Sequence, residues 1–392
     1  MIADFLTSRL DRSSAFFESC DLSDKADYAL LDAEGVFERL HNLSILKDDL
    51  NDQILKRYIS YRHSAIGSSG IYRFQRKIVF DNWGLVYCPE ANTFLNLSDG
   101  FGWPKNAFEF LKAKGFLNQS ADGENYRIEY PGLQTSTLSG TSALLTFPGA
   151  LTFGHWIIDI WGRIEILKRS GRFYEVNHFI FPAPIAPWMR NFFDLFEIES
   201  SRIKTVDKTT GYICEDLLVP TVPSQLRGGV LPHDLSSTQF SGRARFLRSW
   251  FPKQGSHTPA PLFLKHRHLT SNKRRLLTNA EDVANLVLKC GGGVLDPVGA
   301  PIGEVIAAIQ DASIVIGQDS SALHNNAFVG RDVLIIQTEQ RNNLLHLSIQ
   351  DALNAKFAYI QSEPTENGWF LDTEFLGRFL NRLIQKQGEK ND

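Results

Sequence analysis

From residue 261 onward the chain alternates short apolar runs with helix-length segments, and this alternation restricts its fold more than any other feature. PLFLKH, GGVLDP, SIVIGQ, DVLIIQ and KFAYIQ have the length and apolar character of buried strands. The segments between them carry helical spacing and begin near Thr278, Pro301, Ser320 and Arg341; Thr278 with Glu281 matches the capping-box pattern T-x-x-E. Strands separated by helices run parallel, because the crossover returns each strand in the same direction. The spacing predicts an α/β, Rossmann-like domain over 255–362, whose ligands bind beyond the carboxyl ends of its strands.

A second alternation precedes it. SALLTFPG leads into a helix that begins at GHW. HFIFPAP, RIKTV and YICEDLLVP read as strands, APWMRNFFDLFEI and DLSSTQFSGRARFLRSWF as helices. The polar, proline-containing KQGSHTPAP closes this domain, and 67–254 forms the first α/β unit. At its start, IYRFQRKIVF and WGLVYCP predict two strands with Asp81 and Asn82 in the turn between them. VFERLHNLSILKDDLNDQILKRYI has a period near 3.6, so 1–66 is expected to be a helical N-terminal segment. The amphipathic EFLGRFLNRLIQKQ makes 363–392 a final helix and tail.

A chain of 392 residues exceeds what one core usually serves, and 43% hydrophobic content supplies two. The net charge of -3 argues against a general nucleic-acid partner. Cys20, Cys88, Cys214 and Cys290 stand far apart and form no C-x-x-C pair, which fits reduced thiols in a cytosol. Asp4 interrupts the apolar part of the N-terminus, so no signal peptide is read, and the N-x-S matches at Asn42, Asn96 and Asn118 are then without consequence. No window has the roughly 18 uninterrupted apolar residues of a membrane helix.

Four features carry chemistry. In GHWIIDIWGRIEIL, His155, Asp159 and Arg163 fall at i, i+4 and i+8 and line one helical stripe. Such a stripe is either a satisfied buried pair or a proton-handling site. KHRHLTSNKRR follows PLFLKH and holds Arg267, Lys273 and Arg274, suited to a diphosphate or else simply solvated. Asp319, Ser320 and Ser321 open a helix after SIVIGQ; they can cap it, and its free N–H groups can hold an anion. Glu304, early in the helix after GGVLDP, is a candidate for ribose hydroxyls or a routine helix-dipole residue.

Taken together, the chain resembles glycosyltransferase family 61, in particular bacterial members associated with capsular and other surface polysaccharides. GHWIIDIWGR is similar to the family's G-H-W-x-x-D segment, KHRHLTSNKRRLLTNAEDV to its S-R-R…R-R-x-x-N-E-x-E loop and helix, and ASIVIGQDSSALHN to its G-x-H-G-A-x-L-x-N segment. The likeness covers about residues 140 to 340. Asp319 replaces the family's His, Ser320 and Ser321 stand where Gly-Ala is usual, and of S-R-R only Arg267 survives clearly.

The resemblance implies a GT-B fold, two Rossmann-like domains facing across a cleft, and an inverting transfer that needs neither metal nor resident cofactor. The donor is a nucleotide sugar, UDP-sugar first among them, bound by Arg267, Lys273, Arg274, Glu304, Asp319, Ser320, Ser321 and Asn325. The acceptor is a glycan or a lipid-linked saccharide, with Arg163 on its side. The expected location is the cytoplasm, with peripheral association at the inner face of the membrane. His155 is the candidate base, oriented by Asp159 and kept neutral by the helix N-terminus; the alternative makes Asp159 the base. A non-catalytic nucleotide-sugar or glycan binding module on the same fold, marked by Asp319, is the competing class.

Overall fold

The computed structural model describes residues 9–11, 27–32, 35–38, 43–45, 63–66, 69–88, 93–94, 117–119, 125–128, 133–147, 149–220, 260–265, 276–337, 346, 349–350, 353 and 355–388, and structural statements concern these. The chain divides into two units. The first comprises Met1–Gly35 and Ile66–Pro232, the second Val36–Ala65 and His233–Asp392.

The main sheet of the first unit includes β1 (Ser69–Phe80), β2 (Leu85–Cys88), β3 (Gln134–Leu144), β4 (Val176–Pro182), β5 (Ile203–Val206) and β6 (Thr210–Pro220), with Thr93–Phe94 paired beyond β2 and Asp27–Asp32 paired with β1. Their order across the sheet is β5-β4-β3-β6-β1-β2. The four from β3 to β6 are parallel neighbours, whereas β1 joins β6 antiparallel and returns to β2 through the expected turn at Asp81 and Asn82. Chain order therefore reverses at β3, which lies between β4 and β6.

The segment after β3 enters helix α1. Its first turn, Phe153–His155, is α-helical; Trp156–Ile160 is π-helical; Trp161–Arg169 is α-helical again. Helix α2 (Pro187–Phe196) starts with proline at its first turn, where the missing N–H costs nothing. An aromatic cluster joins the two helices and β4. Trp156, wholly buried, stacks on Phe181 with ring centroids 5.4 Å apart and meets Trp188 edge-on at 5.6 Å, while Trp161 meets Phe196 edge-on at 5.0 Å.

The second unit has strands β7 (Ala260–Leu264), β8 (Gly293–Leu295), β9 (Ala312–Gln318), β10 (Val333–Gln337) and β11 (Phe357–Gln361), ordered β8-β7-β9-β10-β11 and all parallel. Alternate side chains face opposite ways, so each strand feeds two cores. Leu262, Leu264, Val315, Ile335 and Tyr359 pack with Val305 and Ile309 of helix α4 (Ile302–Asp311). Phe263, Ile316, Leu334 and Ile360 pack instead with Val283 and Val287 of helix α3 (Ala280–Lys289) and with Leu376 and Leu380 of helix α5 (Thr373–Gly388). This is the doubly wound arrangement the alternation predicts.

Three expectations change. Where 1–66 is described it is strand, not helix: Arg9–Asp11, Asp27–Asp32, Gly35–Glu38, Leu43–Ile45 and His63–Ile66. Leu43–Ile45 extends the second unit's sheet beside β11, so sheet pairing overrides the 3.6-residue pattern there. Thr278 does not cap α3, because its hydroxyl donates to the Trp369 carbonyl and Glu281 pairs with Lys265; Asn279 occupies the cap position without a side-chain bond. The helix after β9 is a 3-10 helix, Ser321–Phe328. The helix expected over DLSSTQFSGRARFLRSWF lies outside the described residues, and no helix among those described is long and apolar enough to cross a membrane.

Trp156 is the centre of the cluster that fixes α1. Trp156→Ala should cost about 3–5 kcal/mol, as large aromatic truncations in a core do, read by urea unfolding; a loss under about 1 kcal/mol would show that the cluster does not hold the helix.

Candidate active site

The first constellation lies beyond the carboxyl end of β3, where the order of the parallel strands reverses. Ligands of open α/β sheets bind at such a point. His155 Nδ1 and Asp159 Oδ2 are 2.7 Å apart. Residues four apart are neighbours on a helix face, and the segment that joins this pair is a π turn, a form that gathers at functional sites.

The ring is clamped from its other sides. Phe147 meets it edge-on with centroids 6.0 Å apart. Gly149 lies against it so closely that a Cβ there would come 2.9 Å from Cδ2 and 3.1 Å from Nε2. Gly149 also has φ +97°, so both backbone and space demand glycine. The turn is closed by Ala150 N–H to Phe147 O at 3.0 Å and Thr152 N–H to Gly149 O at 2.8 Å.

Exposure separates the pair. The His155 side chain is 39% exposed, that of Asp159 only 9%. Burial is the largest influence on His155 and by itself lowers its pKa, but the hydrogen bond and charge of Asp159 together outweigh it, and the net shift is upward from 6.5. The expectation that the helix N-terminus keeps His155 neutral is therefore overridden by the carboxylate one turn on. Because the folded-state pKa is raised, the pair adds stability that is complete below about pH 6.5 and is lost as pH rises through the raised value.

Arg163, expected on the acceptor side, is wholly buried instead. Its Nη1 donates to Thr146 O at 3.1 Å, and its guanidinium lies 4.6 Å from the centre of the Phe147 ring. Burial lowers its pKa to about 9 against the opposing charge of Asp159, so it stays cationic near neutrality. It braces the loop that carries Phe147 and balances the buried carboxylate.

The second constellation lies in the other unit. Its strand order is 2-1-3-4-5 in chain sequence from β7, so the order reverses between β7 and β9. Both predicted donor segments follow those two strands. Arg267, Lys273 and Arg274, after β7, lie outside the described residues. After β9, Gly317 admits Leu323, whose Cδ2 would sit 2.6 Å from a Cβ, and this lets the 3-10 helix fold back onto the strand.

None of Asp319, Ser320 and Ser321 caps that helix through its side chain; Ser320 occupies the cap position. Asp319 turns instead toward His346, with Nε2 3.2 Å from Oδ1. The buried Ser320 hydroxyl has no hydrogen-bond partner among the described residues. Asn325 is buried and donates to Ala322 O at 2.9 Å, inside its own helix. Glu304 is exposed in the first turn of α4.

Sequence reasoning missed Thr146, Phe147, Gly149, His324 and His346. FPG announces a turn before the helix, but neither the positive φ nor the contact with His155 is written in it. His346 stands in an apolar helical run, where a lone His carries no signal.

A protein with a proton-accepting imidazole at one switch point and an anion-suited helix start at another has the parts of a group-transfer enzyme. Residues 153–336 match the family model described as Glycosyltransferase 61. The match, over just under half of the chain, supports a glycosyltransferase family 61 domain and a glycosyltransferase activity. Among curated proteins no sequence matches it.

If Asp159 raises the His155 pKa, the acid limb of kcat/KM should fall above pH 6.5 in the parent. In Asp159→Asn, where only burial remains, it should move below that value. An acid limb unmoved by the substitution would detach His155 from the rate profile.

Proposed function

We propose that the protein is an inverting, metal-independent GT-B glycosyltransferase of bacterial surface polysaccharide synthesis. It moves a sugar from a nucleotide sugar, a UDP-sugar first among them, to a hydroxyl of a glycan or lipid-linked saccharide at the cytoplasmic face of the membrane. The observation that carries the reading is the His155–Asp159 pair at the switch point of the first sheet, inside the residues the family model matches.

In this mechanism His155 is the general base. Asp159 accepts the Nδ1 proton and fixes the ring, leaving Nε2 with the lone pair. The acceptor hydroxyl gives its proton to Nε2 as its oxygen attacks the anomeric carbon. The bond from that carbon to the diphosphate breaks on the opposite face, and the nucleoside diphosphate departs with the electron pair. The greater exposure of His155 favours it over Asp159 as the group that meets the acceptor.

Charge growing on the leaving diphosphate is the larger electrostatic demand. Arg267, Lys273, Arg274 and the N–H groups that open the Ser321–Phe328 helix are the residues assigned to meet it, with Glu304 on the ribose hydroxyls. A barrier lowered by donors already in place gains more than one lowered by donors that must reorganise.

Two measurements test the proposal. Thermal unfolding against UDP, GDP, CMP and their sugar conjugates should show a rise of roughly a few degrees with one nucleotide at 100 times its Kd, unaffected by EDTA. No rise with any of them, in folded protein, would remove the donor site. His155→Ala should lower turnover at least about a hundredfold while nucleotide binding persists; near-normal turnover would remove His155 from the chemistry.

A further inference from the structure

The turn between β1 and β2 lies far from His155 in sequence, yet it is fastened to the loop that seats the ring. The turn is stiff. Asp81 is buried with φ +64°, its carbonyl accepts the Gly84 N–H at 2.9 Å, and its Oδ1 accepts the Trp83 N–H at 3.0 Å. Asp tolerates this left-handed backbone because its short side chain bonds locally. The Asp81 N–H also donates to Asp207 O at 3.0 Å, just past the end of β5, so the turn is anchored to a second strand end.

Thr146, two residues beyond β3, joins that turn to the site. Its hydroxyl donates to Asn82 O at 2.6 Å, across 64 residues of sequence, and its own carbonyl accepts from Arg163 Nη1 at 3.1 Å. Gly84 packs on it so closely that a Cβ there would come 2.6 Å from Thr146 O and 2.9 Å from Cγ2. Thr146 is 1% exposed, so water competes little for its bonds. The next residue, Phe147, stands edge-on to the His155 ring, and Gly149, three residues on, lies against it. A continuous series of bonds and contacts therefore runs from the turn through Thr146 to the imidazole. Removing the hydroxyl leaves the Asn82 carbonyl short of a donor and releases the loop from the turn.

We propose that Thr146 is a positioning residue of the candidate base: its hydroxyl ties the turn at 81–84 to the loop that carries Phe147 and Gly149, and this tie holds the His155 ring in its contact with Asp159. The proposal rests on the reading of His155 as the base. Thr146 acts through Phe147 and Gly149 and, being buried, does not itself touch a substrate.

The test is nitrogen NMR of the histidine-labelled full chain, at a pH where His155 is neutral, reading the ratio of its Nδ1–H to Nε2–H tautomers. Asp159 holds the proton on Nδ1, and a ring released from it loses that preference. Thr146→Val, which keeps the outline of the side chain without its hydroxyl, should lower the ratio at least about fivefold, the effect of losing one hydrogen bond. Thr146→Ser, which retains the hydroxyl, should keep the parent ratio. A Thr146 that served packing alone would lower unfolding stability in Thr146→Val and leave the ratio of the folded protein unchanged, and that result would overturn the proposal. An equal shift in both variants would overturn it too, because Thr146→Ser retains the tie. Should Thr146→Val fail to fold, Thr146→Ala and Thr146→Ser, which differ in the hydroxyl alone, decide: a lowered ratio in the first and not in the second supports the tie, and equal ratios overturn it. Near-normal turnover in His155→Ala would instead bring down the base reading, an outcome the tautomer ratios do not depend on.

Discussion

The hydrogen bond between Asp159 and His155 depends on more of the surrounding structure than any other contact in the site. Two polar groups four residues apart face one another along a helix, and here the segment between them is a π turn. That turn is held by Trp156 inside an aromatic cluster built from α2 and β4. Arg163, a further turn on, spends its charge on the loop before the helix and on Asp159. Gly149 then presses that loop against the imidazole face. His155, Asp159, Arg163 and the Gly149 turn thus all come from one crossover between β3 and β4.

The two units solve the same placement problem separately. In the parallel part of each sheet chain order reverses once, and there the loops leave adjacent strands in opposite directions and open a space beyond the strand ends. One point holds an imidazole able to take a proton. The other holds a helix start and the buried Ser320 hydroxyl, with Asp319 Oδ1 3.2 Å from His346 Nε2 beside them. Glycosyl transfer needs both kinds of site, because proton removal from the acceptor and charge growth on the leaving group occur together.

What the sequence made legible followed from periodicity. The strands of the second unit, the helices α2, α3 and α4, and the pairing of His155 with Asp159 are local patterns, and local patterns survive folding when burial agrees with them. Leu43–Ile45 shows the contrary case: its surroundings carry helical spacing, but β11 offers a sheet edge to pair with. Contacts across long sequence separations were illegible. Nothing in RNNLLHLSIQ says that His346 meets Asp319, and nothing in FPGAL says that Gly149 lies against an imidazole. Arg163 was placed on the correct stripe but assigned to the wrong environment, since spacing gives direction around a helix and not depth.

The most direct test of the central interaction is the tautomer of His155, read by nitrogen NMR of the histidine-labelled protein, with the resonance assigned by a His155→Gln variant. Above the His155 pKa, the proton is expected on Nδ1, held by Asp159, with Nε2 bare and able to accept. A proton found on Nε2 with Nδ1 bare would contradict the assignment, because the exposed nitrogen would then have no lone pair for the acceptor.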